Sequence, residues 1–200
     1  MSKRIRRWRS STGSLACALT APILRGCASA AVATLDRLIR LASTADLPAI
    51  VAIYNATIPT RASTADLEAV SVVSRRPWLA RHDPDRRPCW VLEEDGEVLA
   101  WLSFENYKER AAYSITAEVS VYVDEAHRRR GLGRLLLENA VAQAPALGLE
   151  RLLAVVFAHN SASVALFEGA GFERWGLLPG VTRLDGKAAD IVILGRAVAA

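Results

Sequence analysis

Residues 118–141 read EVSVYVDEAHRRRGLGRLLLENAV and join three local patterns in one line. Val119, Val121 and Val123 alternate with Glu118, Ser120 and Tyr122, the period of a strand with two unlike faces. A polar turn follows, then Arg128, Arg129, Arg130, Gly131 and Gly133, with Arg134 just beyond. From Gly131 to Ala146, Leu135, Leu136, Ala140 and Gln143 turn through the faces of a helix that Pro145 and Gly148 bring to an end. The start of a helix offers unpaired N–H groups and partial positive charge, and glycine lets the backbone come close to a phosphate. Strand, arginines, glycines and helix together therefore suit a diphosphate at residues 129–134. The hexad RRRGLG alone does not exclude a surface arginine cluster whose glycines only shape a turn.

Working outward, RLIRLA (37–42) reads as a short strand. Ser43 or Thr44 is placed to cap a helix carrying Leu47, Ile50, Val51 and Tyr54. IPTRASTAD (58–66) is a loop, and Ser71 caps a second helix through Trp78 and His82 that Pro77 must kink or break. PCWVLEEDGEVLAWLSF (88–104) is a hairpin around Asp95-Gly96. A polar-aromatic loop (105–113) leads into the strand 114–123. RLLAVVF (151–157) is nearly all apolar, as in a strand covered on both faces. Asn160–Ala170 is a helix stopped by Gly171, and FERWGLL and ADIVILGRAV are closing strands around Asp185-Gly186. No repeat or interdomain linker interrupts this order, so it reads as one α/β domain.

The positive charge is unevenly spread. Of 25 Lys/Arg and 21 Asp/Glu, eight and one fall in residues 1–40, which leaves 17 and 20 beyond. A nucleic-acid footprint needs a basic face on the domain itself, and the domain is slightly acidic. Cys17, Cys27 and Cys89 are odd in number and lack metal-type spacing, so neither a disulfide framework nor a metal site is expected. The tail has a basic start, the apolar run LACALTAPIL and small residues near CASA, the outline of a signal peptide. That run is too short to span a bilayer, Pro22 interrupts it and Arg25 follows it directly. The expected organisation is a disordered or mis-assigned N-terminal extension over 1–36 and a folded domain over 37–200.

Arg-x-x-Gly-x-Gly at 128–133 is followed by HNSASVALFEGAGF at 159–172, where Asn160 opens a helix that ends in Gly171-Phe172. This pair resembles the GNAT superfamily of N-acetyltransferases. A dinucleotide fingerprint would need Gly-x-Gly-x-x-Gly after the first strand, and a P-loop would need Gly-Lys-Ser/Thr. ADLPAIVAIYNATI (45–58), TAEVSVYV (116–123) and LPGVTRLDGKAADIVILGR (178–196) are similar to the phosphinothricin acetyltransferase branch.

The resemblance implies a mixed central sheet with helices on both faces and two neighbouring parallel strands, 114–123 and 151–157, that splay apart. It implies acetyl-CoA as co-substrate, its pantetheine arm paired with the backbone of Val121, Tyr122 and Val123. The amides of Arg129, Arg130, Gly131, Leu132, Gly133 and Arg134 would hold the pyrophosphate, and Asn160 would touch the arm. Glu118 matches the family's general base; a strand-end Glu paired with an arginine is the alternative. Phe167 stands where many members have a tyrosine acid, and Lys187, Ala188 and Ala189 stand where phosphinothricin-acetylating members carry His and Trp. Phe104, Arg110 and Tyr113 are the candidate lining of the acceptor pocket, Arg110 suiting a carboxylate. The implied activity is acetyl transfer to the amine of a small amino-acid-like acceptor, by direct attack and without a metal. A protein N-terminus or polyamine as acceptor, or a non-catalytic acyl-CoA-binding module, are the rivals. The resemblance also suggests a homodimer, and the expected protein is cytoplasmic and engages neither nucleic acid nor membrane.

Removal of residues 1–36 is expected to leave the thermal unfolding transition and acetyl-CoA affinity nearly unchanged. Calorimetry on full-length and shortened chains checks this.

Overall fold

A computed structural model describes residues 37–198, so the expectation for residues 1–36 lies outside the described residues. Among the described residues, seven strands form a single sheet: β1 (Arg37–Leu41), β2 (Cys89–Glu94), β3 (Glu97–Asn106), β4 (Thr116–Val123), β5 (Arg151–Phe157), β6 (Glu173–Leu184) and β7 (Lys187–Ala197). The order across the sheet is β1-β2-β3-β4-β5-β7-β6, and β4 beside β5 is the parallel pair. The helices are α1 (Leu47–Thr57), α2 (Val72–Ala80), α3 (Leu132–Gln143) and α4 (Ser161–Gly169).

The pleat of the central strands divides the interior into two cores. Trp90 and Leu92 of β2, with Ala100, Leu102 and Phe104 of β3, face α3 and α4, meeting Leu136, Leu137, Val164 and Phe167. The alternate residues Cys89, Val91 and Trp101 face α1 and α2, meeting Leu47, Ile50, Tyr54 and Leu79. Because both faces are covered, Leu99 to Leu102 is a continuous apolar run in which every residue is buried.

Several elements differ from the sequence reading, each for a local reason. Residues Thr44–Asp46 form a 3-10 turn ahead of α1, because the Asp46 carboxylate accepts from the Ser43 N–H at 2.7 Å and tightens the chain there. The same carboxylate accepts two N–H bonds from Arg40, both 2.8 Å, which fastens β1 to the start of α1. Ser71 caps α2 through the Ser74 N–H at 3.0 Å, and the helix passes through Pro77 but ends at Ala80, short of His82. Helix α3 ends at Gln143, and Pro145 continues it only as the 3-10 segment Ala144–Leu147. Both Asp-Gly turns form, with left-handed φ at Asp95, Gly96, Asp185 and Gly186 that suits the strand twist.

Strand β6 runs further than expected, through Pro179 and Gly180, because a register shift between Leu178 and Thr182 absorbs them. It is an edge strand and leaves Trp175, Leu177, Leu178 and Val181 exposed. In β5, Val155 is 41% exposed despite the apolar run around it, since one face of that strand opens onto a cleft.

Hydrogen bonds from Arg40 hold the Asp46 carboxyl at about 2, below its ordinary 3.8. The folded value is the depressed one, so this contribution to stability is fully present above 3.8 and fades as pH falls through about 2. Asp46→Asn is expected to lower the urea midpoint at neutral pH and to lose little further from this source on acidification. Urea melts across that range check it.

Candidate active site

Strands β4 and β5 pair for three residues only: Thr116 with Arg151, Ala117 with Leu152, and Glu118 with Leu153. Beyond that rung β4 remains paired with β3 to Val123, while β5 remains paired with β7 to Phe157, so the two strands part. The edge of β4 from Val119 onward therefore carries backbone groups with no strand beside them. The gap holds two adjoining lobes, of about 430 and 440 Å³, that share Ser63, Val121, Tyr122 and Asn160 in their walls.

One lobe ends at the glycine-arginine turn. Val121, Tyr122, Val123, Arg129, Gly131, Leu132, Gly133, Arg134 and Asn160 all line it, so the structure brings together nearly every residue expected to contact the cofactor. Arg129 and Gly131 both adopt left-handed φ, 61° and 79°. Among the described residues, the amides of 129–134 donate to no protein acceptor, as befits a turn that runs into the first residues of α3. Arg128, Arg129 and Arg134 line the lobe around these amides, and their charge is partly offset by Glu138, 2.7 Å from Arg134, and Glu125, 3.7 Å from Arg128. Arg130 does not line the lobe. Its guanidinium turns away to the buried Glu94, which also binds Arg37, so only its backbone remains available to the turn.

Asn160 caps α4 by accepting from the Ser163 N–H at 3.1 Å, and its amide donates to the Ala62 carbonyl at 2.8 Å. The neighbouring His159 Nε2 lies 2.9 Å from the Arg61 carbonyl oxygen, and the Tyr122 hydroxyl donates to the Ser63 carbonyl at 3.2 Å. Three contacts thus stretch residues 61–63 across the cleft as a strap. Sequence reading left this segment as a plain loop. It carries no periodic signal, and its partners at His159 and Asn160 are remote in the chain.

Glu118 lies in the other lobe, on the last rung before the strands part. It is half-buried, and among the described residues nothing hydrogen-bonds or ion-pairs with it, so the arginine-paired alternative is not what the fold contains. Burial first, and the nearby Glu105 second, push its carboxyl above the ordinary range. An unpaired carboxyl made more basic is chemically a proton acceptor. Phe167 also borders this lobe, buried and edge-on to Phe172, and supplies no hydroxyl.

The three residues expected to line an acceptor pocket are not at the cleft. Phe104 is fully buried, because its place on β3 points it into the α3–α4 core against Trp90. Arg110 lies beyond the end of β3 and borders a separate hollow with Arg81, Arg86 and Arg87. Tyr113 sits in the same connection, edge-on to Tyr107 at 5.7 Å. The lobe that holds Glu118 is lined instead by residues that include Thr64, Phe157, Leu178, Val181 and Thr182.

Residues 48–172 match the Acetyltransferase (GNAT) family. The chain belongs to the GNAT family. YwnH of Bacillus subtilis is 50% identical over 159 residues, which cover 79% of this chain and 97% of that one. The L-methionine sulfoximine/L-methionine sulfone acetyltransferase of Pseudomonas aeruginosa is 32% identical, over 78% of this chain and 91% of its own. Among solved structures, a phosphinothricin acetyltransferase from Sinorhizobium meliloti in complex with acetyl-CoA superposes with a TM-score of 0.76 at 26% identity, covering 81% and 88% of the two chains. The seven-stranded sheet is thus a GNAT sheet, and the protein is a GNAT acetyltransferase.

In this GNAT chain Gly133 has a structural duty beyond the phosphate turn. A Cβ there would meet Leu166 and Val123, each at 3.3 Å, so the glycine lets α3 sit tightly against β4 and α4. Gly133→Asp is therefore expected to destabilise the fold by roughly 2 kcal/mol or more, by crowding and by burying a carboxylate among apolar groups. A urea titration of the variant checks this.

Proposed function

We propose that this acetyltransferase moves the acetyl group of acetyl-CoA to the primary amine of a small amino-acid-like acceptor, of the phosphinothricin or methionine sulfoximine type. The amine attacks the thioester directly within a ternary complex. The observation that carries the reading is the unpaired Glu118 on the last rung of the splayed strands, in the same cleft as the cationic turn. The acceptor class comes from the names of the relatives, which act on L-methionine sulfoximine and on phosphinothricin.

The free amides of 129–134 and the side chains of Arg128, Arg129 and Arg134 suit the pyrophosphate. The open edge of β4 at Val121, Tyr122 and Val123 suits the amide-bearing arm, in the manner of an added strand. A backbone N–H near Val121 would stabilise the charge that grows on the thioester oxygen. Glu118 takes one proton from the acceptor ammonium, the freed nitrogen pair forms the new C–N bond as the C–S bond breaks, and the second N–H proton passes to the departing CoA thiolate. Cys89 is no nucleophile for a covalent alternative, since burial pushes its thiol up to about 12.

The wider reading is of a domain over 37–200 that works in the cytoplasm, where acetyl-CoA is made and used. The exposed apolar row of β6 gives the expected homodimer a surface. The rival acyl-CoA-binding module would bind acetyl-CoA without releasing thiol to any amine. Mass spectrometry of a pooled amine library after incubation with acetyl-CoA separates the two.

Glu118→Gln preserves size and removes the base. It is expected to slow acetylation by ~10²–10⁴, or about 3–5 kcal/mol of barrier, with the acetyl-CoA dissociation constant almost unmoved. The residual rate should climb with pH as more acceptor arrives already deprotonated. Steady-state kinetics and calorimetry check both parts; wild-type turnover with a lowered melting temperature would make Glu118 merely structural.

A further inference from the structure

The register of β3 against β4 sets Glu105 directly opposite Glu118. Facing residues of an antiparallel pair lie on the same side of the sheet with Cβ atoms about 4.5–5.5 Å apart, and like charges placed there repel. No basic side chain relieves the repulsion among the described residues, since neither carboxylate has an Arg or Lys partner. The two are nevertheless unlike. The Trp78 Nε1–H donates to Glu105 Oε1 at 2.7 Å, and the Glu105 side chain is 43% exposed. Glu118 has no such donor among the described residues and faces the cleft.

His82 stands behind Glu105 but brings it no fixed charge. Its Nδ1 lies 2.9 Å from the Trp78 carbonyl oxygen, which can only accept, so Nδ1 carries the ring proton. Nε2 of the neutral ring is then bare. It has no hydrogen-bond partner and sits 3.5 Å from Glu105 Oε1. Burial pulls the imidazole below its ordinary range, so the neutral form prevails at neutral pH and Glu105 stays uncompensated. The other groups in reach are Arg81 beside His82, the buried Cys89 thiol, and the Tyr122 phenol on the Glu118 face of β4.

We propose that Glu105 is a positioning residue of the acetyl-transfer site: held opposite Glu118 by Trp78, its carboxylate makes Glu118 take the acceptor's proton more readily. This rests on Glu118 serving as the base. In the step concerned an N–H bond of the acceptor ammonium breaks and an O–H bond on Glu118 forms; Glu105 exchanges no proton.

The test measures Glu118 without needing turnover. With carbon-13-labelled glutamate, the Glu118 carboxyl resonance is assigned by its loss in Glu118→Gln and titrated in the wild type, Glu105→Gln and Glu105→Asp. Glu105→Gln should lower the Glu118 midpoint by roughly half a unit to one unit, and Glu105→Asp should restore most of it. Thermal melts should show Glu105→Gln no less stable than wild type, because a repulsion has been removed. With L-methionine sulfoximine and saturating acetyl-CoA, the acid limb of kcat/KM should move to lower pH by the same amount. An unmoved Glu118 midpoint in Glu105→Gln overturns the proposal. If the midpoint moves but the acid limb survives in Glu118→Gln, Glu118 is not the base, and the catalytic meaning of Glu105 falls with it.

Discussion

Backbone N–H and C=O groups need partners wherever water is scarce, and a sheet normally supplies them along both edges of every inner strand. Here β4 has that supply on one side only after Glu118, because β5 has turned toward β7. The unmet groups lie in the middle of the sheet, walled by Val121, Val155, Val156 and Phe157. A ligand with its own amides can complete the ladder there at little conformational expense. The remaining features of the site are arranged around this one opening, and each gains its meaning from distance to the point of parting.

Charge is graded along the cleft. Three arginines and a helix start lie at one end, and a single carboxyl made more basic by burial lies at the other. A molecule that is anionic at one end and electrophilic at the other fits only one way round. A gradient of this kind favours one orientation of such a molecule, with groups the folded chain already holds in place.

Much of this was legible in residues 118–141. The alternation around Val119, Val121 and Val123, the turn and the helix start are encoded locally, and so are the two Asp-Gly hairpins. Phe104 was not legible, because β3 is apolar on both faces and its sequence does not reveal which parity meets the α3–α4 core. The strap at 61–63 was hidden for another reason: it is small and polar, and it is shaped by His159 and Asn160 from a distant part of the chain. Gly133 was read as a phosphate-loop glycine, whereas its neighbours Leu166 and Val123 show a packing constraint that only the fold could disclose.

Glu94 joins Arg37 on β1 to Arg130 in the turn before α3, and it does so from a site only 6% exposed. Burial alone would raise this carboxyl, yet the two guanidiniums hold it below the ordinary range, so it remains an anion throughout neutral conditions. One of the three consecutive arginines is thus a rivet. Counting the run as uniform cationic strength overstates what a ligand can feel, because the Arg130 guanidinium is already engaged with Glu94. The turn is tied through Glu94 to the far edge of the sheet, where no comparison of ligand-contacting residues would look for it.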